Sequence, residues 1–367
     1  MKVSLFGYLD LNPYLLLYRE TLEHQGIIVS LEHRFGLNWL FTRGRSCDAV
    51  HLHWVELAYM PSRWHSGGRL VRRLMNHRYV RALRGALRLA DFSAALFLAR
   101  LQGKAIVCTV HNLNPHNPQE FWPFVILNRA AHRVVLSTSD RVHVHNQYTL
   151  KMLETAYDCK DGVVLVPLGN FIGYYPNQVS RAAARQQLGL ADESFVYLFL
   201  GLIRPYKGVE DLIGAFGEIQ SPMARLLVVG RVFGDHYKEK ISGLSRNDPR
   251  IKLVLEFVAD ETIQLYMNAC DVCVLPYKHI TTSSAAVLAL SFGRPVIAPA
   301  ITSFPELITP ETGILYDPSQ PDALALAMQR SACQSWHEPA IVDYARRFDW
   351  DKLGPQLAQL YQVKCDR

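Results

Sequence analysis

Short apolar runs ending in small or polar residues recur along the whole chain, and stretches with helical spacing separate them. In the first half the runs are Lys2 to Phe6, Ala49 to Leu52, Ala105 to Val110, Arg133 to Leu136 and Arg141 to Val144, with Tyr14 to Glu23 helical in spacing. After a turn-rich passage at Tyr174-Tyr175-Pro176-Asn177 a second series follows: Phe195 to Leu200, Arg225 to Val229, Ile251 to Leu255, Val272 to Leu275 and Pro295 to Ala298. Strands alternating with helices build a parallel sheet covered on both faces. Two such series predict two doubly wound α/β domains facing a central cleft, because open sheets bind ligands at the carboxyl ends of their strands. The expected division is a first domain over 1–175 and a second over 176–345. The last helix, 346–367, either closes the second sheet or crosses back to the first domain.

The 367 residues suit two domains of ordinary size. With 49% hydrophobic and 20% charged residues the composition is globular, so both halves are expected to fold. Seven scattered cysteines make a disulfide framework unexpected and point to a reducing, cytoplasmic location. Cys270 and Cys273 have ligand-like spacing but no second pair nearby, and they read as buried small hydrophobes rather than a metal site. The opening MKVSLFGYLD resembles a first strand more than a secretion signal. No run approaches the roughly eighteen uncharged apolar residues of a membrane span, so none is expected.

Charge is unevenly spread. Between Pro61 and Arg100 there are nine arginines, no lysine and one acid, Asp91, a local balance of +8 in a chain whose formal net charge is +6. From Arg69 to Arg88 the spacing is helical. Arg73, His77, Arg81, Arg84 and Arg88 fall on one stripe, and Trp64 and Tyr79 add aromatic groups. Such a helix suits an anionic lipid surface or a lipid-diphosphate acceptor, which would place the protein peripherally at the inner face of the cell membrane. A solvated helix face is the plain alternative. Nucleic acid is not an expected partner, since no nucleic-acid motif accompanies the basic stretch.

The segment Phe199 to Gly208, FLGLIRPYKG, runs from a strand into a glycine turn that carries Arg204 and Lys207 and leads into the helical Val209 to Phe216. Two cations and free backbone amides in such a turn can hold a diphosphate. GLIRPYKGVEDLIGAF resembles the donor-diphosphate loop of the large retaining glycosyltransferase family with the GT-B fold, matching at Gly201, Arg204, Lys207 and Gly208. Further similar segments follow in the order of that fold: LLVVGR at Leu226 to Arg231, Leu255 to Val258, Leu265 to Pro276, and GRPVIA at Gly293 to Ala298. The resemblance implies two Rossmann-like domains. It also implies that Arg204 and Lys207 neutralise the leaving nucleoside diphosphate, that Phe257 and Val258 hold the nucleobase, and that His111 lies near the sugar.

The chain departs from that family at one place. Retaining members carry two glutamates before the GxPV segment, and Ile280 and Leu288 occupy the corresponding positions. In their stead stand Thr281, Thr282, Ser283 and Ser284 at a helix start, where hydroxyls, amides and the helix dipole favour an anion. One of the four suffices for a plain N-cap. This pattern, with Asn12-Pro13-Tyr14 after the first strand, is similar to bacterial exopolysaccharide glycosyltransferases, including β-mannosyltransferases that extend polyprenyl-diphosphate-linked oligosaccharides.

The resemblance therefore implies transfer of a sugar from a nucleotide-diphosphate sugar, mannose from GDP-mannose being favoured, to a glycan or lipid-linked oligosaccharide, with inversion. No metal or other cofactor is expected. Inversion needs a general base. Asp10, after the first strand, leads; Glu56 and His111 are the rivals. His51 and His53 alternate along a strand, as do His143 and His145, and buried, satisfied rings are the plain reading of both pairs. On the acceptor or membrane side stand Asn12, His53, Trp64, Arg73, Arg81, Arg84 and Arg88. A nucleotide-sugar epimerase of the same fold, needing no acceptor, and a non-catalytic glycan-binding relative are the alternatives.

Overall fold

The computed structural model describes residues 1–8, 13–113 and 121–362. The chain divides into two compact units, Met1–Pro167 with Trp350–Arg367, and Leu168–Asp349. The division falls at 167/168 rather than 175/176, and the segment from Trp350 onward belongs with the first unit. Each unit is built on one six-stranded sheet, and every strand pair is parallel.

In the first unit the strands are β1 (Lys2–Phe6), β2 (Ile28–Glu32), β3 (Ala49–His53), β4 (Ala105–Thr109), β5 (Arg141–Val144) and β6 (Val163–Leu165), in the order β2-β1-β3-β4-β5-β6. One face of this sheet is apolar. Val50, Leu52, Cys108, Val142 and Val144 belong to a core shared with Phe92, Leu96 and Ala99 of the helix Arg78–Leu101 and with Ala131 and Val135 of the helix Trp122–Thr138. The other face is polar and equally buried: His51 and His53 from β3, Thr109 from β4, and His143 from β5 are each at most 2% exposed. Tyr14 and Tyr18, on the helix Pro13–His24, together with Trp350 and Tyr361 cover that face. Gly354 sits where the helix Trp350–Gln359 meets Pro13–His24; a Cβ there would lie 2.9 Å from the Gln25 amide nitrogen.

Two expectations for the first unit need correction. Arg133 to Leu136 is the end of the helix Trp122–Thr138, not a strand, because a four-residue apolar run has too few positions to separate the two periods. The helical stretch expected over 69–88 is two helices, Arg69–Met75 and Arg78–Leu101. Asn76 breaks it: its side chain accepts from the Trp64 amide at 2.8 Å and donates to the Trp64 carbonyl at 2.9 Å.

The second unit holds β7 (Phe195–Leu200), β8 (Ala224–Val229), β9 (Ile251–Val254), β10 (Val272–Val274), β11 (Val296–Pro299) and β12 (Gly313–Tyr316), in the order β12-β11-β10-β7-β8-β9. Neighbours of β7 therefore run onward on one side and return on the other. The carboxyl ends of β7 and β10 flank this reversal, the place where open α/β sheets bind ligands.

Candidate functional site

The loop after β7 is locked by its neighbours. Gly208 has φ 66°, and a Cβ on it would stand 2.1 Å from the Pro276 carbonyl oxygen, so only glycine lets the turn approach the loop after β10. The Lys278 amide donates to the Tyr206 carbonyl at 2.8 Å, which ties the two loops together. Ile203 bridges Val232 in parallel, and this joins the loop after β7 to the loop after β8. Gly230 permits that contact, since a Cβ there would meet the Gly201 carbonyl oxygen at 1.9 Å.

This frame gathers cations. The Arg204 guanidinium lies 4.4 Å and the Arg231 guanidinium 5.0 Å from the centre of the Phe233 ring. Lys207 Nζ stands 3.3 Å from the Tyr277 hydroxyl and 4.8 Å from that ring's centre. Burial pushes the Lys207 ammonium down to about 8, and the like charge of Arg204 adds to the shift. A cation held away from water and, among the described residues, without a carboxylate partner is poised to gain from a bound anion. Tyr277 in turn hydrogen-bonds Ser283.

Ser283 is the N-cap of the helix Ser284–Ser291, its hydroxyl accepting from the Ala286 amide at 3.2 Å. One of the four hydroxyls is thus used as a cap. Ser284 is exposed at the first helical position, and Thr281 and Thr282 are half-buried beside it. Phe257 and Val258 occupy the loop between β9 and the helix Asp260–Ala269, with Phe257 exposed. Cys270 and Cys273 lie buried with their sulfurs 4.0 Å apart, and among the described residues no group of three or more ligating side chains could hold a metal.

In the first unit the polar sheet face is a single hydrogen-bonded layer whose direction is set at one end. The Val166 carbonyl can only accept, so His143 Nε2 donates to it at 2.9 Å and His143 Nδ1 is bare. Thr109 must then donate its hydroxyl proton to His143 Nδ1 at 2.9 Å and accept from His51 Nε2 at 2.7 Å. His51 Nδ1 accepts from the Tyr361 hydroxyl at 2.5 Å, and the Tyr361 and Tyr18 hydroxyls lie 3.4 Å apart. In this arrangement the His51 and His143 rings are neutral, each carrying one N–H. Burial pushes His51, His53, His111, His143 and His145 down, and the neighbouring imidazoles add to the shift in all but His143, which falls to about 4.

The same layer reaches the carboxyl end of β4. His53 Nδ1 and the half-buried His111 Nε2 lie 3.1 Å apart. Trp54 stacks on His111 with ring centres 4.3 Å apart and planes within 10°. Its backbone is left-handed at φ 56°, strain on the order of 1–3 kcal/mol for a bulky residue. His145 Nδ1 donates to the Val166 carbonyl at 3.3 Å, while His145 Nε2 and His53 Nε2 are buried with no hydrogen-bond partner among the described residues.

Comparison with known proteins places the second unit. Residues 194–333 match the family model described as glycosyl transferases group 1. A GDP-mannose:glycolipid 4-beta-D-mannosyltransferase of Xanthomonas campestris pv. campestris is 28% identical over 315 residues, 84% of this chain and 77% of that protein. A D-inositol 3-phosphate glycosyltransferase of Corynebacterium efficiens is 27% identical over 71% of this chain and 67% of its own length. Among solved structures, the sucrose-phosphate synthase of Thermosynechococcus elongatus superposes with a TM-score of 0.71 at 20% identity, covering 99% of this chain and 98% of that one. Anabaena HepE in complex with UDP and glucose superposes with a TM-score of 0.69 at 19% identity, covering 98% of each chain.

The chain is a glycosyltransferase of the GT-B fold, with a group 1 domain at 194–333. Of the residues singled out in its sequence, the structure brings Gly201, Arg204 and Lys207 together with the start of the helix after Ser283. It brings His53 and His111 together, with Glu56 in the short helical turn Val55–Ala58 that follows Trp54. Asp10 and Asn12 lie outside the described residues.

The transferase's arginine stripe is arranged otherwise than its spacing implied. Arg88 donates to the Met60 carbonyl at 2.9 Å. Arg84 donates to the carbonyls of Ser62 and Met75, both at 3.2 Å, and stacks over Trp64. Arg81 lies over the Phe124 ring. Arg84 and Arg88 thus hold the segment 60–64, and Arg73 alone of the stripe's arginines is exposed. Residue spacing overlooked Arg231 and Tyr277. The signal for Arg231 was in the sequence: Val229-Gly230-Arg231 repeats the strand, glycine and cation order of the Arg204 loop.

Proposed function

We propose that this glycosyltransferase moves mannose from GDP-mannose, with inversion, onto a polyprenyl-diphosphate-linked oligosaccharide in the synthesis of an exopolysaccharide or cell-surface glycan. The observation that carries the donor reading is the cation cluster of Arg204, Lys207 and Arg231 on the loops that end β7 and β8, with Lys207 short of a counter-charge. A nucleoside diphosphate supplies that charge, and such positive groups do most at the developing charge of the leaving group. The X. campestris relative supports the sugar and the lipid-linked acceptor. Inversion is supported by Ile280 and Leu288, apolar where the retaining pattern has carboxylates.

His111 is the proposed general base: it sits at a strand end, half-buried, with a neutral ring at physiological pH. Membrane docking is supported by an apolar ridge. Leu70 and Leu74 on one helix and Leu83, Leu87, Phe97 and Leu101 on the next are all exposed, and Arg69, Arg72, Arg73 and Arg78 are exposed around them. Apolar side chains edged by arginines suit the boundary between anionic headgroups and acyl chains. Incubation with GDP-α-mannose and a polyprenyl-diphosphate oligosaccharide, followed by NMR of the product, tests the proposal. A β-mannosyl linkage is expected, and an α-linkage would overturn inversion.

A further inference from the structure

We propose that His53 is the positioning residue that makes His111 a base, by accepting the Nε2–H of His111 so that the His111 Nδ1 lone pair faces the acceptor hydroxyl. This rests on the reading of His111 as the base. A neutral imidazole carries one N–H, and the 3.1 Å contact between His53 Nδ1 and His111 Nε2 needs one of the two nitrogens protonated and the other bare. If His53 donated, His111 would carry its proton on Nδ1 and could take no other. With His111 as donor, Nδ1 is free to act.

The step then balances. The acceptor O–H proton passes to His111 Nδ1 as the oxygen attacks the anomeric carbon. The bond from that carbon to the diphosphate breaks, and its electron pair leaves with the nucleoside diphosphate. The resulting imidazolium donates Nε2–H to His53 in a charge-assisted bond stronger than the neutral one it replaces. It lies flat on Trp54, whose π face attracts a cation at the 4.3 Å separation found. Both interactions strengthen as charge develops, which is what lowers a barrier.

A carboxylate usually orients a catalytic histidine; here a buried neutral ring does so. Among the described residues, the groups facing His111 are Tyr14 from the helix Pro13–His24, His53 and Trp54 from β3 and its end, and His143 and His145 from β5 and the residue after it, and none of these is an acid. His53 is itself fixed from behind, its ring stacked on His51 at 4.1 Å, and His51 is held by Thr109 and Tyr361.

The experiment is the pH dependence of kcat/KM for four purified variants whose folding is checked by circular dichroism. Asparagine places an acceptor oxygen where imidazole places Nδ1, so His53→Asn should stay within about tenfold of the parent, while His53→Leu should lose at least a hundredfold in kcat with KM for the donor unchanged. His53→Asp gives His111 a carboxylate partner, and the acid limb of the profile should move to higher pH by a unit or more. If His111→Ala abolishes turnover while the acid limb stays in place in His53→Asp and His53→Leu matches His53→Asn, His111 is the base and the role given to His53 is wrong. Near-normal turnover in His111→Ala would overturn both.

Discussion

Lowering the pH should unfold the first unit well before the carboxylates titrate. The unfolded chain holds its histidines near 6.5, whereas the buried rings resist protonation in the fold. A group whose folded value is depressed in this way costs stability once pH falls below the unfolded value, because unfolding then takes up a proton. For His143, at about 4 in the fold, the loss at pH 5 is about 2 kcal/mol. His51, His53 and His145 are depressed in the same direction by burial. Four rings that stay neutral together give a slope of roughly 5 kcal/mol per pH unit below 6.5. Domains of this kind have about 5–15 kcal/mol in all, so one pH unit removes a large share. Five of the six tryptophans, Trp39, Trp54, Trp64, Trp122 and Trp350, lie in this unit, so urea unfolding followed by tryptophan fluorescence reports it directly. The midpoint should be steady from pH 8 to 7 and fall steeply between 6.5 and 5.5. A midpoint unchanged across that window would show that the layer is hydrated or already protonated, and would refute the tautomer chain.

Two further outcomes follow from the second unit. Gly208→Ala should disable nucleotide binding, since strain at φ 66° costs about 1–3 kcal/mol before the clash with Pro276 is added, and binding isotherms measure it. Nucleotide affinity should be flat below about pH 8 and decline above it, as Lys207 loses the proton that the diphosphate requires. Affinity that rises with pH would contradict that role for Lys207.

The second sheet was the more legible. Its five expected strands match β7 to β11 within a residue or two because each is a mainly apolar run bounded by glycine, proline or a charge, buried in all but the edge strand β9; β12, the short GILY at the other edge, was missed. In the first unit β2 and β6 were missed as well. Both edge strands are partly exposed and carry little apolar signal, with IVSLE alternating and VVL only three residues long.

The glycosyltransferase pattern was legible because glycine and cations must stand at set offsets from a strand end. The histidine layer was only half legible. Alternation of His51 with His53 and of His143 with His145 placed each pair on one face, but nothing local says that β3, β4 and β5 are neighbours or that Tyr361 returns to His51 from 310 residues away. The arginine stripe was legible as a period but not as a set of contacts. Its period was right, yet Asn76 ends the helix inside it, and three of its guanidinium groups serve unpaired backbone carbonyls and aromatic rings nearby.

Calorimetric titration with GDP, UDP and GDP-mannose, repeated on Arg204→Ala, tests the central claim most directly. GDP and GDP-mannose should bind and UDP should not, and the substitution should weaken binding at least tenfold. Binding of GDP unaffected by Arg204→Ala, or no binding of any of the three, would contradict it.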